Sequence, residues 1–291
     1  MKKILDLADL SDEAIASILA GVPRGAEPLR GKVLGLLFLD PSLRTLASMQ
    51  AAMAQLGGSS FVVTPGQGTW KLEMKDGAVM DGDAAEHVRE AIAVLSQYAD
   101  VLGVRCFARA ESLEEDLLDV AMTRMAALSS VPFVNLESAV SHPCQALADW
   151  KTLDDVGVPR HGRIVLSWAY HPRPLPYAVP ASVLTMAARR GMQVCVLRPE
   201  GFALPAPLME RARAIAAASG GRVLETGDRR EAMEGAHVLY AKSWCAPSLY
   251  GRPSEEAALR APHRDWCVRE SWFSGAPPAP RSCTACRCGA T

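Results

Sequence analysis

From Lys32 onward the sequence repeats one unit: a short apolar run, a turn, then an amphipathic stretch. The runs are VLGLLFL (33–39), FVV (61–63), VLGVR (101–105), PFVNL (132–136), RIVLSWA (163–169), QVCVLRP (193–199), RVLET (222–226) and HVLYAKSW (237–244). Continuously apolar strands that alternate with helices belong to parallel sheets covered on both faces. The polar helix pattern HPCQALADWKTLDD (142–155) separates four runs from four. The expected fold is therefore α/β, with two doubly wound parallel-sheet domains joined by a helix, residues 1–141 and 142–273. Residues 274–291 show no periodicity and are expected to form an irregular tail. At 291 residues the chain is long enough for two domains with their own cores. Three helix starts have local signals. Ser11 precedes an amphipathic stretch, Asp83 and Glu86 have capping-box spacing in the helical pattern DAAEHVREAIAVLSQY (83–98), and Pro41-Ser42 opens a helix over 43–56 closed by Gly57 and Gly58.

Charge excludes some partners. Lys and Arg total 31 against 32 Asp and Glu, so no global field attracts nucleic acid or an anionic membrane. Asp6, Asp9, Asp12 and Glu13 interrupt any signal-peptide core, and the chain reads as cytoplasmic. Cys106, Cys144, Cys195, Cys245 and Cys267 are scattered singly, as reduced core thiols are. No G-x-G-x-x-G follows any strand, which argues against a dinucleotide enzyme.

Ligands of such sheets bind beyond the carboxyl ends of the strands. After the first run, Ser42, the Leu43 main chain, Arg44 and Thr45 occupy the first turn of a helix, where free amides and the dipole favour an anion. Hydroxyls and a guanidinium suit a phosphate. Spacing alone favours the plainer reading, an ordinary capped helix with an exposed Arg. Arg105 ends the third run, His142 and Gln145 open the helix after the fourth, and Lys242 and Trp244 end the eighth. Singly these are a surface charge, a turn residue and a solvated Lys. Together they outline a cleft with donors for a carbonyl or phosphate oxygen.

PSLRT (41–45), GVR (103–105) and HPCQ (142–145) resemble the aspartate/ornithine carbamoyltransferase family. TWKLE (69–73), VMDGDAAEH (79–87), SWAYHPRPLPYAVPAS (167–182) and AKSW (241–244) resemble its N-acetylornithine and N-succinylornithine carbamoyltransferases, and the likeness runs from about residue 4 to 273. The resemblance implies a homotrimer that uses carbamoyl phosphate and an N-acylornithine, with no metal or cofactor. It implies that Ser42, Leu43, Arg44 and Thr45 hold the phosphate, that Arg105, His142 and Gln145 hold the carbamoyl group, and that Trp70 completes a neighbouring subunit's pocket. It further places Glu137, His171 and Lys242 around the acylornithine. Ala85 stands where acetyl enzymes carry Glu and succinyl enzymes Pro, which leaves the acyl group open. Leu46 stands where relatives usually have a second Arg, a departure that removes a supporting cation. A phosphoanion-binding protein without turnover is the alternative reading.

The tail SGAPPAPRSCTACRCGAT replaces the His-Cys-Leu-Pro loop with which relatives continue. Its C-x-x-C-x-C spacing suggests a metal site, but no nearby His supplies a fourth ligand. A coding assignment of Ser282–Thr291 exists that, read one base earlier, spells Phe-Met-His-Cys-Leu-Pro-Val-Arg-Arg-Asn. The expectation is therefore a frameshift from about residue 274, with turnover impaired in the chain as written.

Overall fold

The computed structural model describes residues 3–23 and 25–273, and the backbone of 281–284. Two compact units emerge: residues 1–108 with 115–144, and residues 109–114 with 145–291. The first contains β1 (Lys3–Ile4), α1 (Asp12–Ala20), β2 (Val33–Phe38), α2 (Leu43–Gln55), β3 (Ser59–Val63), β4 (Lys71–Glu73), β5 (Ala84–His87), α3 (Val88–Tyr98), β6 (Val101–Arg105), most of α4 (Leu113–Leu117), α5 (Val120–Leu128) and β7 (Phe133–Glu137). The chain passes into the second unit within α6 (Pro143–Asp155). There follow β8 (Arg163–Trp168), α7 (Ala178–Arg189), β9 (Gln193–Leu197), α8 (Ala206–Ala218), β10 (Arg222–Thr226), α9 (Arg229–Met233), β11 (Val238–Lys242), α10 (Pro253–Arg260) and β12 (Arg281–Thr284).

The first unit's sheet has the order β1-β7-β6-β2-β3, the second's β10-β9-β8-β11-β12, and every pairing is parallel. Both faces of the first sheet are apolar. Leu37, Leu102, Val104 and Phe133 pack with Val88 and Ile92 of α3 and Met122 and Met125 of α5. On the other face Leu36, Phe38 and Leu136 pack with Leu46 and Met49 of α2. In the second unit α7 is buried from Ala178 through Ala188, and Val165, Cys195 and Leu239 pack against Ala232 and Met233 of α9. All eight apolar runs are strands. Each sheet reverses its winding at one point, between β2 and β6 in the first and between β8 and β11 in the second. Such switch points open a crevice beyond the carboxyl ends of the strands.

Two local expectations give way. The Asp83–Glu86 capping box does not form: residues 84–87 pair with Lys71–Glu73, Asp83 engages Lys71, and Glu86 accepts from Trp70 Nε1 at 2.8 Å. The helix starts at Val88, where the His87 ring accepts from the Arg89 amide at 3.1 Å. Within the tail, the backbone of Arg281–Thr284 is not irregular but pairs with Val238–Ala241. The free edge of β11 presents unpaired backbone groups that any extended segment can satisfy. The remainder of the tail, with Cys286 and Cys288, lies outside the described residues. Among the described residues no helix is long and apolar enough to cross a membrane, and no cluster of three or more His, Cys, Asp or Glu side chains could hold a metal.

Candidate active site

At the first switch point β2 hands over to α2 through Asp40–Ser42. Ser42 caps the helix, its Oγ accepting from the Thr45 amide at 3.2 Å. Leu43 and Arg44 are exposed on the first turn and Thr45 is half-buried. Leu46 turns inward onto Leu36, Phe38 and Leu136, so it serves the core. Phe38 lies in register with Arg105, and Asp40 Oδ2 accepts from the Phe107 amide at 2.6 Å, tying the two strand ends together.

Arg105 owes its aim to a bulge. The β6–β7 register slips between Val104 and Arg105, so that Arg105 faces Glu137 directly, whereas Val104 faces Asn135. An extra residue of this kind re-aims a side chain at a sheet's end. The buried Arg105 guanidinium donates to Glu137 Oε2 and lies 4.4 Å above the Phe107 ring. His142 Nε2 is 3.5 Å from the same carboxylate oxygen, and all three side chains are nearly buried. The carboxylate fixes the guanidinium through a charge-assisted hydrogen bond and has the imidazole beside it. Arg105 Nε is buried with no hydrogen-bond partner among the described residues, a donor left available.

The other predicted residues each have surroundings of their own. Trp70 is exposed and tethered to Glu86, above a cavity of about 280 Å³ lined by Val63, Pro65, Leu72, Ala91 and Leu95. Ala85 lines a separate open concavity with Asp76, Met80, His87 and Glu90. Gln145 belongs to the second unit and donates to Asp149 Oδ1 at 2.8 Å. Burial pushes the Asp149 carboxyl up to about 6, although Gln145 and Tyr240 hydrogen-bond to it.

At the second switch point Lys242 ends β11 in register with Trp168, which ends β8. Lys242 is half-buried. His171, just past β8, is half-buried, and its Nδ1 accepts from the Arg173 amide at 3.1 Å. Behind these strand ends lies Arg260, only 1% exposed. It donates to the His171 carbonyl at 3.3 Å, Ser243 Oγ at 3.0 Å and the Trp244 carbonyl at 2.6 Å, and it pairs with Glu256. Burial raises the Glu256 carboxyl despite that pairing. Trp244 Nε1 donates to the Phe202 carbonyl at 2.8 Å, so Trp244 is a core anchor and not a ligand-facing group. Sequence reasoning missed Arg260, because Glu and Arg four apart on a short helix read as a solvated pair.

Comparison with known proteins gives a consistent result. Residues 1–155 match the carbamoyl-phosphate-binding domain of aspartate/ornithine carbamoyltransferases, and residues 178–279 match their Asp/Orn-binding domain. The N-acetylornithine carbamoyltransferase of Xanthomonas campestris pv. campestris is 39% identical over 83% of this chain and 72% of its own. The N-succinylornithine carbamoyltransferase of Bacteroides thetaiotaomicron is 36% identical over 83% of this chain and 71% of its own. The crystal structure of an acetylornithine transcarbamylase complexed with acetylcitrulline superposes with a TM-score of 0.89 at 36% identity, covering 95% of this chain and 85% of that one. Two family domains matched in order, with relatives 36–39% identical over most of the chain, place this chain in the aspartate/ornithine carbamoyltransferase family.

Proposed function

We propose that this chain transfers the carbamoyl group of carbamoyl phosphate to the δ-amine of an N-acyl-L-ornithine, acetyl or succinyl, giving the N-acylcitrulline and phosphate. The observation that carries this reading is the Arg105–Glu137–His142 cluster, set beside the open N-terminus of α2 at the first switch point. Ser42, the Leu43 amide, Arg44 and Thr45 receive the phosphate. Arg105 and His142, with Gln145, direct donors at the carbamoyl oxygen and amide. Lys242 meets the α-carboxylate, and Glu137 and His171 border the acylornithine. Ala85, small and neutral, neither repels nor fills the place of a longer acyl group. Relatives of both acyl types, and a solved variant of N-acetyl-L-ornithine transcarbamylase complexed with carbamyl phosphate and N-succinyl-L-norvaline, support leaving both substrates in play.

The neutral δ-amine donates its lone pair to the carbamoyl carbon and a C–N bond forms. The bond from carbon to the bridging phosphate oxygen breaks with its electron pair, and the amine's surplus proton leaves with phosphate. Negative charge grows on the carbamoyl oxygen and on the leaving group, where fixed donors act. We place the reaction in cytoplasmic arginine biosynthesis and the chain in a homotrimer, with Trp70 reaching a neighbour's site. The out-of-frame reading from about residue 274 belongs to the same proposal, and the coding DNA across residues 270–291 decides it.

The test is an assay of ureido product from carbamoyl phosphate with N-acetyl-L-ornithine, N-succinyl-L-ornithine, L-ornithine or L-aspartate, on this chain and on one with the frame restored. Product from an acylornithine alone is expected, and faster turnover with the restored frame. Preference for L-ornithine or L-aspartate sinks the substrate assignment. Phosphate binding without product from either chain favours the non-catalytic reading.

A further inference from the structure

Residues 138–141 connect Glu137 to His142, so their conformation sets the spacing of two members of the cluster. Ser138 organises this loop. Its Oγ accepts from Asn135 Nδ2 at 3.0 Å and from the Ser141 amide at 3.2 Å, which uses both lone pairs and leaves one proton to donate. Two acceptors are within reach of that proton: Asp119 Oδ2 and the Ser141 carbonyl at 3.2 Å. The Ser141 carbonyl already accepts from the Ser138 amide at 2.8 Å and from Asn135 Nδ2 at 3.3 Å, so the carboxylate is the better-placed partner.

Asp119 is turned to this task at the expense of a simpler one. It stands at the N-cap position of α5, yet its side chain makes no capping bond. Its backbone adopts φ +52°, a left-handed conformation that Asp and Asn tolerate better than other side chains. From there the carboxylate accepts from Ser138 and from the Ala139 amide. The charged groups that face it are Asp6, after β1, and Asp116, on α4; both are carboxylates. Burial, with these two neighbours, raises the Asp119 carboxyl to about 6. A negative charge at this position opposes folding, and an Asn would occupy the same space at less cost.

We propose that Asp119 is a positioning residue: as a carboxylate it draws the Ser138 hydroxyl and the Ala139 amide, and so holds the Glu137–His142 loop in the form that aims His142 at a carbamoyl group. The inference rests on the carbamoyl-phosphate reading, and the experiment separates the two. Calorimetric titration of the full chain uses two probes: inorganic phosphate, and phosphonoacetamide as a stable isostere of carbamoyl phosphate. Wild-type protein that binds neither overturns the underlying reading, and this inference with it, before any variant is made. Given binding, D119N should keep the wild-type affinity for phosphate but bind phosphonoacetamide about ten-fold more weakly, the effect of losing one charge-assisted hydrogen bond. S138A, which retains Asp119, should reproduce that selective loss. The wild-type preference for phosphonoacetamide over phosphate should fall as pH drops through about 6, while D119N stays at the low-pH ratio throughout. Thermal melting at pH 7.5 should rank D119N no lower than wild type. Equal loss for both probes, no change for either, or a lower melting temperature with parallel loss overturns the proposal.

Discussion

At the first switch point the groups expected to meet ligand touch one another, and at the second they are gripped from behind. Arg105 and His142 share the Glu137 carboxylate, and that trio hangs on a loop whose hydrogen bonds run through Ser138, Asn135 and a titrating Asp119. Lys242 and His171 have no such mutual contacts among the described residues. Their strand ends are instead fastened by Arg260 and by the buried aromatic groups Trp168, Phe202 and Trp244. The first arrangement can be retuned by moving one proton, whereas the second changes only if packing fails. On the proposed function, chemistry and charge development would fall to the first and shape to the second.

Removing Arg260 breaks the comparison most severely. Arg260→Met leaves Glu256 buried without its cation and takes a donor from the His171 carbonyl and Ser243 Oγ, while the Trp244 carbonyl keeps Trp168 Nε1 at 3.0 Å, and should cost about 3–5 kcal/mol in urea unfolding. Adding Glu256→Gln should return most of that loss, because the orphaned charge is gone. If the double variant is as unstable as the single, the pair is not what clamps the strand ends. Arg105→Gln presents the opposite profile. Glu137 keeps His142 at 3.5 Å, so stability should fall less than with Arg260→Met, but kcat/KM should drop about 10²–10³-fold, the range seen when a transition-state donor is lost. An activity loss that only mirrors unfolding would erase the distinction between the two sites.

That distinction was only half legible in the sequence. The eight strands were readable because a strand buried on both faces is apolar at every position, as VLGLLF (33–38) shows. Lys3–Ile4, Lys71–Glu73 and Ala84–His87 were not, being two to four residues long and mixed in polarity. Arg105 and Lys242 could be singled out because they end apolar runs that read as strands. The partnership of Arg105 with Glu137 depends on a one-residue slip in register that no local pattern encodes. Asp119 and Arg260 escaped for a related reason: each looks like an ordinary helix-end charge, and only the tertiary fold buries it.

Asp149 sharpens the comparison at intermediate scale. Burial raises its carboxyl from 3.8 to about 6, so the folded state holds a proton that the unfolded state has released between those values. Its contribution to stability is fully present below 3.8 and is lost as pH rises through about 6. Asp149→Asn should therefore gain on wild type as pH increases from 4 to 7, by on the order of 2 kcal/mol, with no further change above. Asp119→Asn should trend the same way but, unlike Asp149→Asn, should carry a change in ligand preference. A stability difference that shrinks with rising pH would mean these carboxyls are stabilised as anions.

The smallest effect compares two helix caps. Ser42 Oγ accepts from the Thr45 amide at the start of α2, and Asp228 Oδ1 accepts from the Arg230 amide at 2.7 Å and the Glu231 amide at 3.2 Å at the start of α9. Replacing either with Ala should cost about 1 kcal/mol of stability, the usual worth of a cap. Only Ser42→Ala should also weaken inorganic phosphate, because α2 alone opens onto the first switch point with Arg44 and Thr45 on its leading turn. Equal phosphate affinity in the two variants would leave α2 an ordinary capped helix, since a phosphate seated there must exchange contacts with the hydroxyl that now satisfies the Thr45 amide.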